Sequence, residues 1–274
     1  MQDRGYNLRF LYRYYGNFDY VLDTIINKRL FFSCPNDFND PFDCRPKFSL
    51  IRCKNDNVED WKEYLFILSK DEYPGISDDD AIKHAEAAIN KGLHQDKKWL
   101  LKSDKYASRV VEEEIKNVRI CCFTKTPRNQ MMWANYADNH KGIVLQFRSS
   151  YMFDVDSGTF KGFEVDYYAK HISLKRYLKA MNETLSGDDA AFSRFMYCSK
   201  SVEWAQEDEI RFFSNHSYMN YPERMLAGIL LGSNCPSYRE DLIRTVLSNW
   251  DEKPKVYKED VSKSFIKMYF KLIN

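Results

Sequence analysis

The chain has 274 residues, 44% hydrophobic and 16% aromatic, and a formal net charge of +1 at pH 7. That apolar content can fill a sizeable core, and the even charge balance excludes a global basic field of the kind that drives nonspecific nucleic-acid binding. No run approaches the roughly 18 apolar residues of a membrane span, and the opening MQDRGYNLRF lacks the apolar segment of a secretory signal. Seven Cys, an odd number with no CxxC, argue against a disulfide framework or a zinc knuckle and for the reduced thiols of a cytoplasmic protein. The five His are scattered without metal-ligand spacing.

LRFLYRYY, Leu8–Tyr15, reads as a strand in which Phe10, Tyr12 and Tyr14 share one face and Leu11, Arg13 and Tyr15 the other. Gly16 and Asn17 break it, and Phe18–Asn27 has helical spacing with Asn17 as N-cap. A short strand is expected over Arg29–Ser33. The turn-rich NDFNDPFD, Asn36–Asp43, follows, either an ordinary structured loop or a polar lip beside a pocket. From about Ile51 to Asn117 charges are dense, and helices are expected over Val58–Ser69, Asp79–Leu93, Lys97–Leu101 and Tyr106–Ile115. This block reads as a helical insertion. Its Lys97, Lys98, Lys102 and Lys105 form either a solvated helix face or a surface for an acidic partner.

Val118–Thr124 returns to strand, and a helix opens at Pro127-Arg128-Asn129, with Met132, Trp133, Tyr136 and Ala137 on its apolar face. Gly142 suits a left-handed cap at its end. A strand is expected over Ile143–Phe147, a hairpin over Thr159–Phe163 and Glu164–Tyr168, and helix over much of Ile172–Tyr197. Glu203–Phe213 is expected to be a strand that puts Glu207, Glu209 and Arg211 on one side and Asp208, Ile210 and Phe212 on the other. Two carboxylates and a guanidinium in a row are costly to bury unpaired, so they form either a surface ion network or the floor of a polar cleft. The buried strand Met225–Leu231, a helix over Ser237–Asn249, and strands over Val256–Lys258 and Ser264–Leu272 complete the chain. Strands at both ends with helices gathered between them indicate an α+β fold, one domain carrying the insertion at about 51–117.

Three segments together resemble a bacterial family catalogued as domain of unknown function twenty-nine seventy-one. They are LYRYYG…RLFFSCPNDFNDPFD (Leu11–Asp43), CCFTKTPRNQMMWANYADNHKGIVLQF (Cys121–Phe147) and KSVEWAQEDEIRFF (Lys200–Phe213). The same segments, in the same order, are similar to the three signature segments of ADP-ribosyltransferases, and FTKTPRNQMMW is similar to the nucleotide-binding stretch of DNA-modifying ADP-ribosyltransferase toxins. The second resemblance implies a split, mainly antiparallel sheet core and NAD as substrate. It places Arg13, or Tyr12 if the alignment slides by one, at the NAD-holding position of the first strand. Thr124 falls at the hydroxyl position of the second segment. Glu207 and Glu209 fall in the Glu-x-Glu of the third, Glu209 being the catalytic one. The Ser-Thr-Ser triplet of many members is absent.

The residue types suit that chemistry. Breaking the nicotinamide–ribose bond develops positive charge on the ribose, which a carboxylate at Glu209 would stabilise, while Glu207 would take a proton from the acceptor. Arg13 offers a planar fork to pyrophosphate. Tyr12, Tyr14, Trp133 or Tyr136 could flank a ring of the dinucleotide or simply pack the core. The expected acceptor is a nucleic acid or protein, in a toxin or phage-defence setting that would imply an antitoxin or defence-system partner. A non-catalytic sensor with the same fold and an NAD glycohydrolase are the alternatives. Cys121 and Cys122 with His140 make a remote nucleophile option, and GxSxG and GxxxxGK[ST] are both missing.

Overall fold

A computed structural model describes residues 8–45, 48–152, 161–262 and 266–273. The chain opens with β1 (Phe10–Tyr15), α1 (Phe18–Ile26) and β2 (Arg29–Phe31). Helices α2 (Leu50–Cys53), α3 (Val58–Glu72), α4 (Asp78–Asn90) and α5 (Lys97–Glu114) follow. Next come β3 (Arg119–Thr124), α6 (Gln130–Tyr136), β4 (Ile143–Arg148), β5 (Lys161–Glu164) and β6 (Asp166–Tyr168). Then α7 (Leu174–Leu185), α8 (Ala191–Tyr197) and β7 (Ser199–Ser201) lead through a 3-10 turn, Val202–Glu207, into β8 (Glu209–Ser214). Last are β9 (Tyr218–Asn220), β10 (Leu226–Leu231), α9 (Ser237–Leu247), β11 (Lys255–Glu259) and β12 (Phe270–Leu272). Two compact units result: Met1–Asp37 with Val118–Val165 and Glu203–Asn274, and Phe38–Asn117 with Asp166–Val202.

The first unit is built on an eight-stranded sheet in the order β12-β11-β10-β4-β1-β3-β8-β5. All its pairings are antiparallel except β10 with β11. Strand alternation sorts its residues onto two faces. One carries Leu11, Tyr15, Cys121, Phe123, Leu145, Phe147, Ile210 and Phe212, the main core. The other carries Val144 and Leu230 under Trp133 of α6 and its C-cap Ala137, with Tyr12 and Tyr14 packed alongside. Asn17 caps α1 by accepting from Asp19 N–H at 2.8 Å. Gly142 is not the left-handed cap of α6, because Asp138, Asn139 and His140 take that conformation at φ 46°, 51° and 64°. Its lack of a side chain serves close approach instead: a Cβ there would stand 2.3 Å from the Tyr15 carbonyl oxygen.

The second unit is mostly helical. Leu50, Cys53, Trp61, Leu100, Leu174 and Leu178 form its core, and Trp61 Nε1 donates to the Cys53 carbonyl at 3.0 Å. Ser77 caps α4, as its position before three aspartates predicts. The helix expected to break between Leu101 and Tyr106 runs on as one, α5, capped by Asp96. The expected hairpin near Glu164 does not form, since β5 pairs with β8 in the first unit and β6 pairs in parallel with β7 in the second. Of the strand expected over Ser264–Leu272 only Phe270–Leu272 is strand, residues 263–265 lying outside the described residues. Among the described residues no helix is long and apolar enough to cross a membrane.

Candidate functional site

The expected single strand over Glu203–Phe213 is two pieces. Val202–Glu207 is a 3-10 turn, Asp208 takes φ 44°, and the strand starts only at Glu209. Aspartate is one of the few side chains that tolerate this left-handed geometry, because its short polar group can bond locally. Glu207 and Glu209 are therefore not neighbours on one strand face. Both are still buried, at 4% and 6% exposure.

Each carboxylate has a partner that fixes it. Arg211, 0% exposed, donates from Nε to Glu209 Oε1 and from Nη2 to Glu209 Oε2, both at 2.9 Å. This is the bidentate fork that makes a buried ion pair tolerable. Glu207 Oε1 accepts the Tyr136 hydroxyl at 2.6 Å, which joins α6 to the turn. A second tie is the Asn129 side-chain amide, which donates to the Gln206 carbonyl while its oxygen caps α6 through Met131 N–H. Outside this pair, Lys125 Nζ bridges Glu164 and Asp208 at 2.8 Å each. Burial works against the lysine's charge, yet the hydrogen bonds it donates to Asp208 and Glu164 hold its pKa above the ordinary value.

Register decides who joins the carboxylates. Thr124 lies directly opposite Glu209, Cys122 opposite Arg211, and Tyr12 opposite Thr124. Directly opposed residues of an antiparallel pair share a face, so Tyr12, Thr124, Glu209 and Arg211 line one side of the sheet. The Tyr12 hydroxyl accepts from Gln146 Nε2 at 3.1 Å, and burial raises its pKa. Thr124 is 2% exposed, and among the described residues its Oγ1 has no hydrogen-bond partner. A buried hydroxyl without a partner is uncommon and asks for a reason.

Arg13 is not in this group. It shares the opposite face with Leu11 and Tyr15, where Nη1 donates to Cys121 Sγ at 2.9 Å and the guanidinium carbon lies 5.2 Å from the Tyr15 ring centroid. Of the two residues offered for the NAD-holding position, strand alternation points Arg13 away from the carboxylates and presents Tyr12 on their face. Trp133 is 0% exposed, stacked on His140 at 5.8 Å with Nε1 donating to the Pro127 carbonyl at 2.7 Å, so it is a core residue and not an open ring platform. Tyr14 meets its edge at 5.5 Å. Tyr136 is half-buried and reaches the site through Glu207.

Two features escaped sequence reading. Gln146, on a strand otherwise apolar, was the available signal for a polar spot on that face. Lys125, next to Thr124, carried no pattern that separates it from any surface lysine. At the N-terminus of α6 lies a cleft of about 570 Å³ lined by Arg128, Asn129, Met131 and Met268 among others. Among the described residues no group of three or more His, Cys, Asp or Glu could hold a metal ion.

No curated protein and no solved structure matches the chain. Residues 132–212, from α6 through most of β8, match the family model described as Protein of unknown function (DUF2971).

Proposed function

We propose that this protein is a cytoplasmic, NAD-dependent ADP-ribosyltransferase that modifies a macromolecule, and that Tyr12, Thr124, Glu207 and Glu209 carry the reaction. The observation that supports this most is the unpaired, buried Thr124 Oγ1 directly across the strand pair from Glu209. A hydroxyl and a carboxylate so placed can share a ribose, the first by hydrogen bonding and the second by stabilising positive charge at C1′. The C1′–nitrogen bond breaks with its electron pair leaving on nicotinamide. The acceptor's nucleophile forms the new bond at C1′ and gives its proton to Glu207. Tyr136, hydrogen-bonded to Glu207, orients that base. Tyr12 takes the NAD-holding place of the first strand, and the Arg128–Met131 cleft suits the rest of the dinucleotide.

The bidentate hold of Arg211 on Glu209 favours a second reading, a nucleotide-binding module without turnover. Incubation with adenine-labelled NAD and separate protein, DNA and RNA pools decides between them. Label transferred to one pool, and lost in Glu209→Gln, supports the transferase. NAD consumed without transfer points to a glycohydrolase, and NAD bound without consumption points to the module. Full activity in Glu209→Gln would refute the assignment.

A further inference from the structure

Inside its Asp96 cap, helix α5 carries its end charges the wrong way round for its own stability. The N-terminal end of a helix dipole favours acids and its C-terminal end favours bases. In α5 the first turn contains no acid and opens on Lys97 and Lys98, while the last turn contains no base and ends on Glu112, Glu113 and Glu114. A local rule broken without a structural return marks a functional surface.

At about 100° per residue, Lys98, Lys102, Lys105 and Arg109 fall within an arc of about 60° along a track of about 16 Å. All four are exposed. Four lysines on the neighbouring helices of the same unit are neutralised, Lys62 by Glu59, Lys70 by Asp78, Lys83 by Asp80 and Lys179 by Glu183, and Lys175 of α7 is, among the described residues, a single unpaired cation, not part of a row. Among the described residues, none of the four α5 cations has such a partner. The acid within their own stretch, Asp104, is turned away to cap α2 through Ser49 Oγ at 2.6 Å and Leu50 N–H at 2.7 Å. Beside the stripe stands Tyr106, 72% exposed. A row of unpaired cations with an open aromatic ring next to it is the arrangement that follows a phosphate backbone while a base stacks on the ring.

We propose that the Lys98–Lys102–Lys105–Arg109 face of α5, with Tyr106, is a binding surface for single-stranded nucleic acid. This stands apart from the NAD reading, because binding is measured with no NAD present. The net charge of +1 does not oppose it, since the track is a local segregation of charge.

The test is fluorescence anisotropy of the full chain with a labelled oligothymidylate, its duplex form and polyglutamate. Four released counterions give a single-strand affinity that falls about 50-fold between about 50 and 200 mM salt, a slope of about −2.8. Replacing the four together (Lys98→Gln, Lys102→Gln, Lys105→Gln, Arg109→Gln) is expected to abolish that slope. The charge-matched set Lys62→Gln, Lys70→Gln, Lys83→Gln, Lys179→Gln is expected to retain it. Tyr106→Ala is expected to weaken single-strand binding by at least about fivefold. These side chains are exposed, and a melting temperature of the quadruple α5 variant at or above the parent's confirms that it folds. The proposal is overturned if the parent does not bind, if both quadruple variants lose affinity alike, or if the duplex binds as tightly with Tyr106→Ala unaffected. Polyglutamate binding as tightly as the oligonucleotide would also overturn it, in favour of an acidic protein partner.

Discussion

Thr124→Val separates a residue kept for folding from one kept for a ligand. The two side chains have nearly the same shape, and valine exchanges the unpaired Oγ1 for a methyl. Thr124 is 2% exposed and its hydroxyl has no partner, so the folded chain bears an uncompensated desolvation cost of about 1–3 kcal/mol. The variant removes that cost and buries a methyl in its place. A gain of at least about 1 kcal/mol is expected, which corresponds to a rise of about 2–4 °C in Tm for a chain approaching this size. Urea and thermal unfolding measure it, with NAD consumption followed on the same preparation. If the hydroxyl is there for a ribose, stability rises while NAD turnover or NAD affinity falls. A variant less stable than the parent by about 1 kcal/mol would refute the reasoning, since it would mean that the hydroxyl has a hydrogen bond worth keeping.

Three further outcomes are expected. Arg211→Met leaves Glu209 buried without its bidentate partner and should cost about 3–5 kcal/mol in urea unfolding, a loss that added Glu209→Gln partly restores; a cost below about 1 kcal/mol would show the pair to be dispensable. Gly142→Ala puts a Cβ 2.3 Å from the Tyr15 carbonyl oxygen and 2.8 Å from the Ala137 backbone, so it should destabilise by about 1–3 kcal/mol or more, and a neutral result would contradict that close approach. The third concerns alkaline pH. Burial pushes the Cys121 thiol up to about 11 from an ordinary 9.0, with the neighbouring Arg13 pulling the other way. The folded chain thus keeps a proton that the unfolded chain loses, and this contribution is full below pH 9 and lost as pH rises through about 11. Stability should fall by up to about 1.4 kcal/mol per pH unit across that window, less steeply in Cys121→Ala; parallel slopes in parent and variant would assign the effect elsewhere.

Much of the local structure was legible because its causes are local. Asn17 and Ser77 lie where caps belong, just before residues with helical spacing, and both cap helices. The strand phases were also legible: Leu11, Arg13 and Tyr15 share a face, as do Tyr12 and Tyr14, because side chains alternate whatever the strand's neighbours are. The errors arose where a local pattern allowed two outcomes. Glu207-Asp208-Glu209 alternates like a strand, but a left-handed Asp208 ends the 3-10 turn and starts β8 one residue later. Glu164 and Tyr168 read as one arm of a hairpin, yet β5 and β6 found different partner strands.

The residue types of the candidate site, and the face each shares with its own strand neighbours, were set by the sequence itself, since both follow from side-chain chemistry and a two-residue period. Which strands lie side by side, and in what register, was decided only by the tertiary structure. That pairing sets Tyr12 against Thr124 and Thr124 against Glu209, and it turns Arg13 toward Cys121. The physical reason is that alternation is a property of a single strand, whereas opposition depends on contacts between residues far apart in the chain, and a shift of one residue would send the whole set to the other side.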